Sequence, residues 1–438
     1  MRLTCKDQLF ILSYYLMYRQ LDQTHNVNRT AIREINLDSS IEDIQDLWGY
    51  PQAFIVFRFK KAVIGQVWLP VVDGRISSVD LQSCLGQFAW PLWYQWFKKE
   101  GSSPIIATVV VCTRNRSEDL AKGLPKLARL AGEGHEVLIV DNCPDDDLTR
   151  LLVSQYPAVH YILEPKPGLD TARNRCLRTA REEIVAFTDD DAIVDDEWLS
   201  SLLRNFQDPT VAVVTGITMP LEIESEAQYW FEVSNSFKRG FLRKRFEAST
   251  MDVIAAGQVG AGVNMAIRKS ALGEIGYFDE ALDAGMPTMS GGDQEFFYRT
   301  LAAGYRIIYD PAALVWHRHR RSWEELRKTL HGYGVGVYAW WTCAFIVEGE
   351  FSVPIKAARW FFEYYVRNLF NSIFSRANRL PIDLTWAEFR GALSGPFRYY
   401  QARNLIHKRN AHTSKKMQGV TLNSSREHPQ PSARTDFE

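Results

Sequence analysis

The sequence predicts an α/β protein built on a mostly parallel sheet. From Ile105 onward, short β-branched apolar runs alternate with helix-period segments, and such alternation gives a right-handed, doubly wound sheet. The runs are near-continuously apolar, IIATVVVCT (105–113) above all, as strands covered on both faces are. Polar residues gather at the carboxyl ends of these runs, which is where open α/β sheets bind ligands.

In chain order, residues 1–30 read as a helical leader. Arg2 and Lys6 precede LFILSYYLMY, but no small-residue cleavage site follows, so an amphipathic helix is expected rather than a signal peptide. Residues 31–100 read as a small β-rich domain. AFIVFRFKKAVIGQVWLPVV is rich in β-branched and aromatic residues, is broken at Lys60-Lys61 and Gly65, and is followed by the turn signal Asp73-Gly74. An aromatic helix or apolar patch spans Leu85 to Lys99, and Gly101–Pro104 is a natural linker.

The main domain, 105–330, begins with the strand just quoted. Thr113-Arg114-Asn115-Arg116 leads into a helix from Ser117, with Glu118 and Asp119 in its first turn. HEVLIVDN ends at Asp141-Asn142, HYILEP is a third strand, and Gly168-Leu169-Asp170 opens a helix through TARNRCLRTA. Ile184–Phe187 is a buried strand that stops at Asp189, Asp190 and Asp191; Asp195 then reads as the N-cap of the next helix. VAVVTGITMP is a further strand, and the stretch to Thr250 has room for a helix or flap. GYFDEAL reads as a turn and short helix. Asp293 reads as the N-cap of a helix that Gly304 ends, and the strand Arg306–Tyr309 follows. Ser322 with Glu325 forms a capping box.

Residues 331–405 are expected to be helical. Gly332 to Val347 carry no charge, but 16 residues are too few to span a bilayer. The next segment mixes aromatics with Lys356, Arg359, Arg367 and Arg376, a face suited to an anionic membrane surface. The competing expectation is a helix packed on the main domain. The polar tail, 406–438, is expected to be disordered.

A net charge of −1 argues against a nucleic-acid partner. Six scattered cysteines with no CxxC pair fit a reducing compartment. With the basic aromatic helices, the expectation is a cytoplasmic protein, peripheral at the inner face of the cell membrane.

Three carboxylates at one strand end repel one another. A cation is the simplest remedy, and oxygen ligands suit Mg²⁺ or Mn²⁺, ions that also bridge phosphates. The plain alternative is an acidic turn that only caps a helix.

Read together, VVVCTRNR, VDN (140–142), GLDTARN (168–174), FTDDDA (187–192), GAGVNMAIRKSAL (260–272), GGDQEF (291–296) and WHRHR (316–320) resemble a family-2 glycosyltransferase of the GT-A fold. The resemblance covers about residues 105–330 and rests on the ordered set. It implies an inverting, metal-dependent transfer from a nucleotide-diphosphate sugar to a hydroxyl of a glycan or lipid-linked acceptor. By resemblance, Thr113, Arg114, Asn115, Asp141, Arg173, Asp189 and Asp190 bind the donor. Asp191, Asp189 and His317 hold the metal, with Arg318, His319, Arg320 and Arg321 around the histidine. Asp293 is the catalytic base, and Gly262, Asn264 and Glu295 meet the acceptor. The family usually has Glu-Asp where this chain has Gly292-Asp293, which leaves the role of that glutamate without a carrier.

Three rivals fit less well. A sugar nucleotidyltransferase would show a GxGxR loop where CTRNRSED stands. A glycosidase leaves Asp141 and Arg173 unexplained. A non-catalytic carbohydrate-binding or scaffold protein has no need of intact Asp189, Asp191 and Asp293.

Overall fold

Lys60 and Lys61, which interrupt the first β-rich run, turn the chain back on itself in left-handed conformation (φ 45° and 62°). They close a hairpin between β2 (Gln52–Phe59) and β3 (Ala62–Pro70), and β1 (Thr30–Asn36) adds to β2 in parallel. Two helices, α1 (Ser78–Ser83) and α2 (Ala89–Phe97), complete this small unit. The computed structural model describes residues 29–97, 105–235, 237–374 and 380–424. The expected leader, the linker and the last part of the tail lie outside the described residues.

The main domain alternates as its sequence predicts. β4 (Ala107–Thr113), α3 (Ser117–Gly132), β5 (Glu136–Asn142), α4 (Leu148–Val153), β6 (His160–Glu164), α5 (Leu169–Thr179) and β7 (Ile184–Asp189) follow one another. Short β8 (Ala192–Val194) and α6 (Trp198–Leu203) come next, then β9 (Val211–Pro220), α7 (Glu226–Asn235), β10 (Lys244–Phe246), β11 (Asn264–Arg268), α8 (Leu272–Ile275), α9 (Gly292–Ala302) and β12 (Arg306–His317). The sheet runs β10-β12-β9-β11-β7-β4-β5-β6, with β8 added to β12. Pairs β7–β4, β4–β5, β5–β6 and β9–β12 are parallel; β11 runs antiparallel between β7 and β9. Val109, Val110 and Val111 are all fully buried, because helices cover both faces of the sheet.

Four local expectations are corrected. Asp195 is not an N-cap: α6 starts at Trp198, and Asp195 instead takes Arg58 of the N-terminal unit in a two-pronged ion pair at 2.8 and 3.0 Å. GYFDEAL forms only a loop, since Gly276, at φ 83°, ends the short helix before it. The strand after Arg306 does not stop at Tyr309. It passes Pro311 through a register shift between Asp310 and Leu314 and runs on to His317. Asp293 lies inside the first turn of α9, whose N-cap is Gly291.

Beyond the capping box at Ser322, α10 (Trp323–Ile346) carries the uncharged stretch. α11 (Val353–Trp360), a π-helical turn and α12 (Arg367–Phe374) lead to α13 (Ile382–Ser424), which continues through residues expected to be disordered. α10 and α13 pack without a gap. A Cβ on Gly334 would lie 2.1 Å from the Glu388 carbonyl oxygen, and one on Gly391 would lie 2.1 Å from that of His331. α10 also braces the loop before α9: Ser290 donates to the Gly332 carbonyl (2.8 Å), and the Trp340 indole donates to Gln294 (2.9 Å).

Candidate active site

Strand register brings the polar sites together. Cys112 of β4 pairs with Asp189 of β7, and Thr113 pairs with Asp141 of β5. His317, the last residue of β12, pairs with Ala192, so its ring stands beside Asp191. Thr188 pairs with Asn264, and two residues before Asn264 the Gly262 amide donates to Asp293 (2.8 Å). Thr113, Asp141, Asp189–Asp191, Asp293 and His317 thus share one edge of the sheet.

The three aspartates differ in surroundings. Asp190 accepts from the Thr113 hydroxyl (2.8 Å) and from Arg116 (2.7 Å). Burial outweighs Arg116 and pushes its carboxyl up to about 7. Asp191 is equally buried, yet His317 (3.0 Å), Arg116 (3.0 Å) and Arg320 (3.3 Å) surround it. Burial opposes its ionisation, but these cations overcome burial and hold it far below the usual carboxylate range. Asp189 is raised, first by burial and then by the charge of Asp191. Asp189, Asp191 and His317 each offer one ligand atom, all within 4.8 Å of one another. Two carboxylates and an imidazole suit Mn²⁺, and the carboxylates suit Mg²⁺, so the residues present fit the expected ion.

Asp141 is fully buried. Its Oδ2 accepts from Tyr161 (3.0 Å), while its Oδ1 has no hydrogen-bond partner, and burial raises its carboxyl. A buried acceptor left open is costly to the fold, so it suits an incoming donor N–H or O–H. Arg114 and Asn115 are exposed at the same edge; Asn115, at φ 54°, is tied to Asp145.

Asp293 receives backbone N–H groups at both oxygens, from Gly262 and from Gln294 (2.8 Å each). Burial raises its carboxyl, and nearby Asp283 adds to the effect. A carboxylate so held is aimed and is more basic than one in water.

Three expected contacts are corrected. Arg173 does not extend toward a diphosphate. Its guanidinium is buried between Asp170 (2.9 Å) and Asp283 (2.6 Å), where its charge acts on Asp293 and Asp189 through space. Asn264 cannot form an acceptor floor: its amide donates to the Ile217 and Ala313 carbonyls (2.9 Å each) and accepts from the Trp198 indole, sealing the irregular crossing of β9 and β12. Glu295 faces the interior and is held two-pronged by Arg299. Gly262 does lie at the site, and its missing side chain has a reason: a Cβ there would meet the Arg173 guanidinium at 2.6 Å. Gly292, where the family's glutamate is expected, has a similar one. A Cβ would fall 1.8 Å from Asp170, whose carboxyl already fills that space.

The sequence alone assigned no role to Arg116, Asp170 or Asp283. Arg116 stood in the noted CTRNR run; Asp283 carried no signal, because it meets Arg173 from 110 residues away.

Residues 108–276 match the family model described as "Glycosyl transferase family 2". This segment is a family 2 glycosyl transferase domain. The chain is 31% identical over 242 residues to the pre-mycofactocin glycosyltransferase of Mycobacterium tuberculosis, a match covering 53% of this chain and 47% of that protein. It is 27% identical over 218 residues to the succinoglycan biosynthesis protein ExoM of Rhizobium meliloti, covering 47% of this chain and 64% of that one. The chain thus spans about half the length of the curated relatives it matches. A mannosyltransferase from Pyrobaculum calidifontis, solved in complex with GDP-Man and Mn2+, aligns over 79% of this chain and 91% of its own at 18% identity and a TM-score of 0.42.

Proposed function

We propose that the protein is a metal-dependent, inverting glycosyltransferase that moves a sugar from a nucleotide-diphosphate donor to a hydroxyl of a glycan or lipid-linked acceptor. The observation that carries the reading is the convergence of Asp189, Asp191 and His317 at the strand edge that also holds Asp293. Asp141 offers its open Oδ1 to a donor group of the nucleotide, and Thr113, Arg114 and Asn115 line that end. Arg116 and Arg320, both partly exposed, move from the aspartates to the diphosphate oxygens as the donor enters. Mg²⁺ or Mn²⁺ held by Asp189, Asp191 and His317 supplies Lewis-acid stabilisation of charge on the leaving diphosphate. Asp293 takes the acceptor proton as that oxygen bonds to the anomeric carbon and the bond to the diphosphate breaks. With one displacement, the anomeric configuration inverts.

The test is turnover of a panel of nucleotide sugars with Mn²⁺. Wild type is expected to consume one of them, Asp191→Ala is not, and the product is expected to be inverted. Equal rates for both proteins, or a retained product, would refute the reading.

We place the acceptor at a membrane surface, at the inner face of the cell membrane. Among the described residues no helix is long and apolar enough to cross a bilayer. Yet Ile355, Phe362 and Phe370 form one exposed stripe at helical spacing, and Trp386, Leu393 and Phe397 form a second on α13. Residues 351–410 hold ten Lys or Arg against three acidic residues, in a chain of net charge −1. That pairing of apolar stripes with basic charge favours an anionic bilayer over a second, like-charged copy. Cosedimentation with phosphatidylglycerol vesicles but not phosphatidylcholine vesicles, lost in Phe362→Ser/Phe397→Ser, is expected. Equal behaviour with both lipids would overturn it.

A further inference from the structure

The imidazole of His317 is tied to a chain of groups on the side away from Asp191. Its Nδ1 lies 3.2 Å from Nδ1 of His319. Nε2 of His319 lies 3.2 Å from Oε2 of Glu232, on α7, and Glu232 is ion-paired with Lys238. His317, His319 and Glu232 are all buried. Phe231 packs on His319 with ring centroids 4.4 Å apart, and Phe237 meets His317 edge-on at 5.5 Å. The rings have little freedom to turn.

The directions of these bonds follow from which groups can donate. A carboxylate held by lysine only accepts, so His319 presents Nε2–H to Glu232. A neutral imidazole carries one N–H, so Nδ1 of His319 is an acceptor, and His317 supplies Nδ1–H to it. The Nδ1–H bond to His319 thus leaves Nε2 of His317 as the nitrogen that can give up its proton to a metal ion. It faces Asp191 at 3.0 Å, within the group formed with Asp189.

We propose that Glu232 and His319 form a relay that fixes the tautomer of His317 and so presents its Nε2 as a ligand for the divalent ion. Both are positioning residues; neither touches the ion. The proposal rests on the metal-dependent reading above and extends it to α7, whose Glu232 lies 87 residues from His319 in sequence. Partners of this kind orient metal-binding histidines, and their loss weakens binding without removing a ligand.

The experiment is Mn²⁺ binding to the full chain, without substrate, followed by calorimetry and water-proton relaxation. Glu232→Gln keeps the shape but lets the amide donate to His319 as well as accept, which releases the tautomer. It is expected to bind Mn²⁺ about 10- to 100-fold more weakly than wild type, measured at a temperature where the metal-free variant is still fully folded. Equal affinity would overturn the relay and leave the metal site standing; no binding by wild type would overturn both. Should the variant not fold, wild-type protein carrying ¹⁵N-histidine decides the matter in Mg²⁺. Long-range ¹H–¹⁵N spectra are expected to show His317 protonated at Nδ1 and His319 at Nε2, and the reverse pattern would overturn the proposal.

Discussion

The carboxylates at the end of β7 and those around Arg173 are close enough that Arg173 acts on Asp189, yet their counter-charges are built differently. Arg173 is sealed: its side chain is 5% exposed and fixed between Asp170 and Asp283. The arginines on Asp190 and Asp191 are not. The side chains of Arg116 and Arg320 are 31% and 38% exposed, and both reach in from the surface. A buried cation that cannot leave is part of the fold. A cation at the mouth of a site can be exchanged for another. The contrast separates the charge that shapes the pocket under Asp293 from the charge that gives way when metal and diphosphate arrive.

The sharpest way to test that division is to remove function without touching either set of cations. Asp293→Asn is expected to cut glycosyl transfer by about 10²- to 10⁴-fold, with Mn²⁺ affinity and melting temperature near wild type. A loss of folding instead would move Asp293 into the structural set. Arg173→Met comes next. It strands Asp170 and Asp283 in the interior and is expected to cost about 3–5 kcal/mol of stability in urea unfolding. Arg116→Met is the control, expected to cost about 1–3 kcal/mol and less than Arg173→Met, because Arg320 and His317 still face Asp191 and Asp190, already raised to about 7, can take up a proton. Equal costs for the two arginines would erase the comparison.

The smallest effect lies away from both clusters. Burial lifts the Glu388 carboxyl on α13 to about 7, and among the described residues only Tyr364 donates to it. The folded protein therefore keeps a proton that the unfolded chain releases. This contribution is complete below about pH 4.5 and is lost as pH rises through about 7. Glu388→Gln is expected to flatten the decline of melting temperature between those values. An unchanged slope would mean that solvent reaches the carboxyl.

Much of the fold could be read from the residues. The apolar runs of β4, β5 and β7 state their burial directly, and the three aspartates stop their strand abruptly. What could not be read is which way a polar side chain points once its element is packed. Asn264 begins a central strand, so its amide is spent on the sheet; Glu295 occupies the inner face of α9 and Asp293 the outer. Spacing near the site is the same for all three. Nor does a local pattern reveal partners from distant segments, as with Asp283 for Arg173 or Glu232 for His319. Continuity of the strand past Pro311 was hidden for a similar reason, because the register shift that tolerates it needs β9 alongside.

The glycine contacts between α10 and α13 have a mechanical consequence. With carbonyl oxygens where methyl groups would otherwise sit, neither helix can slide or roll against the other. The same α10 is pinned to the loop at Ser290 and to Gln294, one residue from Asp293. The carboxyl-terminal helices and the proton acceptor therefore belong to one stiff frame. Whatever surface α13 rests against sets the height and tilt at which Asp293 is held.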